Sequence, residues 1–260
     1  MKRHPATAST SQAAAAGRRA GPPQARPDPS RDAPGVRAVQ ADAGRLGAAA
    51  LTPLRGSIAV LGERGAVMTA ISRYPVPSLD GVPDDLRATM LEVQEKAGFV
   101  PNVFLTLAHR PDEFRAFVAY HDALMLRESG LSKSEKEMIV VATSGANHCL
   151  YCVVAHGAIL RVYEKKPLIA DQLAVNYLKA DITPRQAAML AFALKVCNDS
   201  ASIVDADFEA LREHGFSDED AWDIGAITAL FALSNRMANM ISMRPNDEFY
   251  LMGRVPRDKK

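Results

Sequence analysis

From Met68 onward, apolar residues recur at helical spacing between residues that start and end helices. The first clear stretch places four apolar side chains on one face: Leu86, Met90, Val93 and Ala97. Gly98 follows, and glycine often ends a helix in the left-handed conformation. No run of alternating apolar and polar residues bounded by turn residues competes with this pattern, so no strand is indicated. Residues 68–260 are therefore predicted to form an all-α domain of seven or eight helices.

Capping residues mark where further helices begin. In chain order the candidate starts are Asn102, Pro111, Ser132 or Ser134, Thr183 before Pro184, and Ser217. The helix from Pro111 is predicted to end near Gly130, and the helix from Ser217 to reach about Met243. Residues 224–233 within the last helix are so apolar that they must be covered nearly all round, either at the centre of the fold or in a subunit interface.

Residues 1–67 differ sharply in composition from the rest of the chain. They contain none of the sixteen aromatic residues, and they carry ten Lys and Arg against four Asp and Glu. Prolines such as Pro22, Pro23 and Pro27 interrupt any helix, and no apolar period is present to be buried. This segment is predicted to be a disordered low-complexity extension of the helical domain over residues 68–260. An alternative interpretation is a mis-assigned start, with translation beginning at Met68.

Charge and cysteine content limit the classes of function. The formal net charge of +1 conceals an acidic domain, because residues 68–260 carry 21 Lys and Arg against 26 Asp and Glu. Such a domain lacks the clustered basic surface that nucleic acid requires, so no nucleic-acid partner is expected. The longest uncharged apolar run is about half the ~20 residues of a membrane-spanning helix, so no membrane partner is expected either. Three cysteines do not fit a secreted disulfide framework and favour a reducing, cytoplasmic location.

A Cys-x-x-Cys-x-x-x-His pattern carries the strongest chemical signal in the chain. If a helix begins near Asn147, then Cys149, Cys152 and His156 fall within about 60° of one another at ~100° per residue and share one face. Thiols three residues apart in a first helical turn can close a disulfide. Thiolates at this position also meet the positive end of the helix dipole and unpaired N–H groups, which lower the pKa of a thiol. The pattern predicts a redox-active dithiol.

Two further residues are placed to move protons. His156 follows Cys152 by one helical turn and can take or relay its proton. Glu137 precedes Cys149 by twelve residues and lies on the preceding predicted helix. If that helix pairs antiparallel with the cysteine helix across a turn at Gly145, Glu137 faces the dithiol as a carboxylate base or relay member.

Zinc binding and core packing are alternatives for these cysteines. A structural zinc site usually draws its ligands from two separated pairs, and the chain has no second Cys-x-x-Cys pair. Cysteines also occur as plain packing residues, although paired spacing with a histidine beyond it argues against that interpretation. Cys197 lies among Leu190, Ala193 and Leu194 on a predicted helix and is interpreted as a core residue.

The chain resembles the alkylhydroperoxidase D branch of the carboxymuconolactone decarboxylase-like family over roughly residues 70–255. The resemblance rests on the order Glu-x11-Cys-x2-Cys-x3-His, formed by Glu137, Cys149, Cys152 and His156. Asn147 and Tyr151, which lie on either side of the first cysteine, resemble the peroxidase-related subgroup of that family and are candidate supporting residues. Residues 234–239 are also similar to that subgroup.

The resemblance implies an alkylhydroperoxidase D-like fold around a central helical hairpin that carries the Cys-x-x-Cys pair, with assembly into a homotrimer or homohexamer. It also implies that Cys152 attacks the peroxide O–O bond to form a sulfenic acid, which Cys149 resolves as a disulfide. Glu137 and His156 would relay protons. No bound cofactor is expected, because an external thiol or a lipoyl-bearing partner protein would reduce the disulfide. Tyr151 is a departure, since the characterised peroxidase carries a second relay histidine there; Tyr151 would donate a hydrogen bond instead or pack.

The sequence therefore predicts an oxidoreductase, a thiol-dependent peroxidase with peroxiredoxin-like antioxidant activity on organic hydroperoxides or H₂O₂. Two other functions stay open. A redox-sensing oligomeric interaction module would use the dithiol to switch its assembly. The non-redox decarboxylase-type chemistry of the wider family would use His156 as an acid or base, without need of the thiols.

Overall fold

Ten α-helices make up most of residues 70–254, the part of the chain that this computed structural model describes. Their bounds are α1 Asp84–Ala97, α2 Asn102–Leu107, α3 Pro111–Met125, α4 Lys133–Ala146, α5 Leu150–Glu164, α6 Ile169–Asn176, α7 Pro184–Asp199, α8 Asp205–Glu213, α9 Asp218–Met240 and α10 Glu248–Leu251. Single turns of 3₁₀-helix occur at Leu79–Gly81, Tyr177–Lys179 and Ser200–Ser202. Residues 70–254 contain no β-strand. The predicted all-α fold is confirmed. The predictions for residues 1–67, including the boundary at Met68, lie outside the described residues.

Three of the predicted helix starts carry full capping boxes. Ser132, Thr183 and Ser217 each accept a hydrogen bond from the backbone N–H three residues further on, whose side chain accepts from the backbone N–H of the cap. The prediction that Asn102 caps a helix is wrong. Asn102 is the first helical residue of α2, and its amide donates to the carbonyl of Arg244 at 2.9 Å.

The predicted count of seven or eight helices is too low, because short helices leave little signal in the sequence. α6, α8 and α10 all begin without a side-chain hydrogen bond from a capping residue. α3 also ends at Met125, short of the predicted glycine. The buried ammonium of Lys136 binds the carbonyl oxygens of Leu124 at 2.9 Å and Arg127 at 2.6 Å, and so takes up the free carbonyls at this helix end.

α4 lies at the centre of the fold. Residues 135–144 are all buried, and the helix packs against α5, α6, α7 and α9. Glu137 near the start of α4 meets His156 in the middle of α5, so the two helices run antiparallel. The predicted central hairpin is confirmed, and its turn carries Cys149 just ahead of α5.

α9 is covered on one side only. Its buried side includes Ile224, Ile227, Leu230 and Phe231. Trp222, Leu233 and Met240 are exposed. Leu233 and Met240 follow Trp222 by 11 and 18 residues, which are close to three and five whole helical turns, so the three side chains share one face. Within one chain, residues 224–233 are therefore not covered nearly all round, and burial of this exposed face by another subunit stays a prediction. None of the helices within residues 70–254 combines the length and apolar character that crossing a bilayer requires.

Gly145, in the last turn of α4, lies against α6 with no room for a side chain. A Cβ atom there would come within 2.4 Å of the carbonyl oxygen of Ala174. We expect Gly145→Ala to lower the free energy of unfolding by about 1–3 kcal/mol, because the two helices must separate. Gly225→Ala in α9 is the matched control, since a Cβ there meets open space and the substitution should stabilise the helix by about 0.5–1 kcal/mol. Urea unfolding measures both, and an undiminished value for Gly145→Ala would contradict the close approach of α4 and α6.

Candidate functional site

The turn between α4 and α5 sets the position of the dithiol. Asn147 closes α4, His148 has a left-handed backbone with a φ of 53°, and Cys149 is the N-cap of α5. The prediction of a helix beginning near Asn147 is therefore wrong. Cys149 does not share a helical face with Cys152 and His156; it lies ahead of the helix, where the free backbone N–H groups of the first turn are found.

The two sulfur atoms nevertheless lie side by side. Cys149 Sγ and Cys152 Sγ are 2.8 Å apart, both residues are about 1% exposed, and both are free thiols. The backbone N–H of Cys152 also donates to Cys149 Sγ at 3.3 Å. At an N-cap, a side-chain oxygen usually accepts a hydrogen bond from a free backbone N–H of the first helical turn. In α5 the sulfur of Cys149 takes the place of that oxygen.

The surroundings of the two thiols drive their pKa values apart. The hydrogen bond with Cys152, together with backbone N–H donors and the nearby His156, lowers the pKa of Cys149. The same sulfur–sulfur contact, together with burial, raises the pKa of Cys152. Of the two thiols, Cys149 is therefore the one that loses its proton more readily, and Cys152 the one that keeps it. The predicted lowering of thiol pKa applies to Cys149 and is wrong for Cys152.

His156 and Glu137 form a hydrogen-bonded pair beside the dithiol. His156 Nδ1 lies 2.7 Å from Glu137 Oε2, and the two side chains are 14% and 8% exposed. The ring of His156 also packs edge-on against Phe231, with centroids 4.7 Å apart at 83°. A carboxylate at Nδ1 fixes the ring and its tautomer and directs Nε2 away from Glu137. The structure thus brings together all four residues singled out for chemistry in the sequence.

The two supporting residues have different surroundings. The hydroxyl of Tyr151 accepts a hydrogen bond from the backbone N–H of Val103 at 3.1 Å, and burial raises its pKa. Tyr151 therefore stays neutral and ties α2 to α5, with its own O–H left as a donor. The side-chain amide of Asn147 donates to Thr143 O at 3.0 Å and to Cys197 Sγ at 3.2 Å. Asn147 thus holds the turn in place and contacts the partly buried Cys197 instead of the dithiol.

Polar residues from α4 and α9 also lie close to Cys152. Ser234 Oγ lies 3.9 Å from Cys152 Sγ, and the hydroxyl of Ser144 donates to Asn235 Oδ1 at 3.0 Å. The nearby hydroxyl of Ser234, followed by that of Ser144, opposes the rise in the pKa of Cys152. Sequence reasoning placed residues 234–239 in a subgroup pattern without giving them a role. The available signal was a Ser-Asn pair directly after the long uncharged apolar run of residues 224–233.

Cys152 borders a cavity of about 470 Å³, a volume within the range of small-molecule sites. Its walls are mostly apolar and include Val93, Phe104, Phe117, Val118, Phe231 and Phe249. The polar groups that reach it include Cys152, His156, Ser234 and His121, whereas Cys149 does not line it. A ligand in the cavity therefore meets the sulfur of Cys152 and finds Cys149 behind it.

Within residues 70–254, no group of three or more His, Cys, Asp and Glu side chains is arranged to hold a metal ion. The zinc alternative for the Cys-x-x-Cys pair thus gains no further ligands from the fold. The arrangement is suited to thiol chemistry without a metal. Two adjacent sulfurs lie beside a histidine, a carboxylate and a cavity.

A sequence profile of the carboxymuconolactone decarboxylase family matches residues 111–167, which contain the whole of α3, α4 and α5. No curated protein matches the chain closely enough to count as a relative.

Solved structures match most of the chain. One, described as an alkylhydroperoxidase AhpD core and peroxidase-related protein from Ralstonia eutropha JMP134, is 78% identical, covers 73% of this chain and 100% of its own, and has a TM-score of 0.72. A peroxidase-related protein from Silicibacter sp. TM1040 is 41% identical, with 73% and 100% coverage and a TM-score of 0.69. The debrominase Bmp8 is 22% identical, with 71% and 96% coverage and a TM-score of 0.56, and it shares the fold.

Proposed function

The chain belongs to the alkylhydroperoxidase AhpD-like branch of the carboxymuconolactone decarboxylase family, and we propose that it reduces organic hydroperoxides with the Cys149/Cys152 dithiol. One observation carries the proposal. Two buried sulfurs lie 2.8 Å apart at the edge of an apolar cavity whose wall also holds a histidine paired with Glu137. Peroxide reduction needs a nucleophilic sulfur, a second thiol within bonding reach and a proton donor for the leaving oxygen.

The first step readies the nucleophile. When the pair ionises, Cys149 loses its proton more readily and Cys152 keeps its own, yet the cavity is bordered by Cys152. Passing that proton across the 2.8 Å sulfur–sulfur contact leaves a thiolate on Cys152 and a thiol on Cys149. Ser234 then supports the charge with its hydroxyl. The thiolate is the nucleophile in such reactions, whereas the thiol is nearly inert.

The second step breaks the peroxide bond. The Cys152 thiolate attacks the terminal oxygen of the hydroperoxide, an S–O bond forms and the O–O bond breaks. Sulfur is oxidised to the sulfenic acid, and the peroxide is reduced to an alkoxide. His156, held by Glu137 through Nδ1, gives a proton from Nε2 to the alkoxide, which leaves as an alcohol.

The third step forms the disulfide. Cys149 returns its proton to His156 and attacks the sulfenic sulfur of Cys152, which expels hydroxide that is protonated to water. The sum is one hydroperoxide and two thiols giving one alcohol, one water and one disulfide. Because the sulfurs already lie 2.8 Å apart, this step needs no rearrangement of the hairpin.

The size of the cavity favours an organic hydroperoxide over H₂O₂. Liquid water takes about 30 Å³ per molecule, so a molecule with two oxygen atoms would fill only a small part of about 470 Å³. Burying an apolar body against the aromatic walls contributes about 25 cal/mol per Å² of apolar surface. A substrate with such a body therefore gains affinity that H₂O₂ does not.

The reductant, assembly and location are also proposals. An external dithiol, such as a dihydrolipoyl group on a partner protein, would reduce the disulfide by thiol–disulfide exchange. A homotrimer or homohexamer is supported by the exposed apolar face of α9, formed by Trp222, Leu233 and Met240. The cytoplasmic location rests on the cysteine count alone.

The activity is tested by following cumene hydroperoxide consumption by the full chain with dihydrolipoamide as the reductant. We expect consumption that saturates with hydroperoxide and is proportional to the concentration of the protein. Consumption no faster than with dihydrolipoamide alone, at any protein concentration, would overturn the proposal.

Ser234→Ala is expected to shift the reactivity of Cys152 to higher pH. Loss of the hydroxyl removes a hydrogen bond that lowers the pKa of Cys152, so less thiolate is present at neutral pH. One hydrogen bond to a charged sulfur is worth about a tenfold change in reactivity. The measurement is the rate of iodoacetamide alkylation of the Cys152 peptide against pH, read by mass spectrometry. Ser234→Thr keeps the hydroxyl and should restore the original profile; an unshifted profile for Ser234→Ala would show that the hydroxyl does not act on Cys152.

A further inference from the structure

A second histidine lines the same cavity and has no part in the steps above. His121 lies on α3, among side chains that form an apolar stripe in the sequence, and its side chain is 31% exposed. It borders the cavity together with Cys152 and His156. Apart from the groups at the dithiol, the polar side chains on the mostly apolar lining come from α3, which carries His121, and from α1, which carries Glu92 and Lys96.

The ring of His121 lies beside two aromatic rings of the cavity wall. It stacks on Phe117 with centroids 6.5 Å apart at 25°, and it meets Phe231 edge-on at 6.4 Å. Phe231 packs against His156 as well, at 4.7 Å, so one aromatic ring lies in contact with both histidines. An aromatic surface between two polar groups fits a ligand that is apolar along its length and polar at both ends.

The hydrogen bonding of His121 leaves one nitrogen for a ligand. Nδ1 lies 3.0 Å from Asp122 Oδ1, and a carboxylate can only accept, so the proton is on Nδ1. The lone pair of Nε2 then has no hydrogen-bond partner among residues 70–254. In a neutral imidazole with Nδ1 protonated, Nε2 is an acceptor, and its natural partner is a hydroxyl or N–H group.

We propose that His121 is the second recognition point of the cavity: its Nε2 accepts a hydrogen bond from a hydroxyl group carried on the body of an organic hydroperoxide whose peroxide end lies at Cys152. The identity of the peroxide end rests on the proposed function; the distal hydroxyl does not. His121 exchanges no proton and no electron with the ligand, so the three steps at the dithiol are unchanged. The substrate class is thus a hydroxylated, largely apolar hydroperoxide.

The test uses the alcohols that such hydroperoxides leave behind, because they bind without reacting. Cumyl alcohol and its para-hydroxymethyl derivative share one apolar body and differ in the distal hydroxyl. Their dissociation constants are measured by ligand-observed NMR titration on the reduced full chain. We expect the derivative to bind about fivefold more tightly, as one additional net hydrogen bond allows.

Variants of His121 decide whether that preference comes from its ring nitrogen. In His121→Phe and in His121→Leu, the two alcohols should bind with the same affinity as each other. Two variants are used so that the test stands if one of them misfolds. His214→Phe is the matched control, since His214 is exposed at the end of α8, and it should keep the preference. Equal affinities in the unsubstituted chain, or a preference that survives both His121 variants, would overturn the proposal.

This binding assay does not depend on turnover. A chain that discriminates between the alcohols but consumes no hydroperoxide would retain the His121 site and lose the proposed function. A chain that consumes hydroperoxide without discriminating would retain the function and lose the site.

Discussion

Cys152→Ser is expected to abolish turnover of organic hydroperoxides, lowering the rate by on the order of a thousandfold or more. Serine has nearly the same shape as cysteine but lacks a thiolate, so no atom at the cavity can attack the peroxide oxygen. Cys152 borders the cavity and Cys149 does not, so no second thiol lines the cavity to take over. The measurement is steady-state consumption of cumene hydroperoxide with dihydrolipoamide.

Two further cysteine variants give this prediction its controls. Cys149→Ser should also stop repeated turnover, but it should still consume one equivalent of hydroperoxide and retain a sulfenic acid at Cys152, because the resolving thiol is gone. Cys197→Ser should keep the activity of the unsubstituted chain, since Cys197 contacts Asn147 and not the dithiol. Undiminished turnover in both Cys149→Ser and Cys152→Ser would rule out the dithiol as the centre of the reaction.

His156→Asn is expected to slow formation of the sulfenic acid by about 10²–10⁴-fold, the usual contribution of a positioned acid or base. The imidazole lies on the cavity wall with Cys152 and can protonate the leaving alkoxide, and Glu137 holds it through Nδ1 at 2.7 Å. Glu137→Gln should slow the same step to a smaller extent, because glutamine still accepts the Nδ1 proton but carries no charge. Stopped-flow mixing of reduced protein with one equivalent of hydroperoxide isolates this step from disulfide reduction.

His148→Asn is the matched control for the histidine variant. His148 is exposed in the turn between α4 and α5, with a left-handed backbone that asparagine adopts readily. It should react as fast as the unsubstituted chain. An equal loss of rate in His148→Asn and His156→Asn would show that replacing any histidine near the dithiol slows the reaction. That result would contradict a specific proton-transfer role for His156.

The helices and the hairpin were predictable because their signals are local. Ser132, Thr183 and Ser217 cap helices through bonds to residues three positions away, so the sequence alone displays both partners. The position of Glu137 beside the dithiol followed from one turn placed between two helices. The start of α5 was predicted near Asn147 instead of at Leu150, because the backbone of His148 adopts a left-handed conformation that no sequence signal indicates.

The features missed in the sequence depend on distant contacts. Ser144 meets Asn235 across 91 positions, and Ser234 approaches Cys152 from another helix 82 positions away. His121 occupies a position in an apolar stripe, and only the arrangement of α3, α5 and α9 around one cavity shows that it faces open space. The opposite pKa shifts of the two thiols arise first from the contact between their sulfurs, which the sequence does not show because it depends on the turn that places Cys149 ahead of α5.

The central claim is that the Cys149/Cys152 pair exchanges two electrons with a hydroperoxide. The most direct measurement adds cumene hydroperoxide in sub-stoichiometric steps to the reduced full chain, with no reductant present, and follows free thiols, peroxide consumed and the peptide map together. The account predicts that each molecule of hydroperoxide consumed removes two thiols and appears as a Cys149–Cys152 disulfide within one chain, with Cys197 still free. Hydroperoxide left unconsumed, or consumed while Cys149 and Cys152 both remain as free thiols, would contradict it.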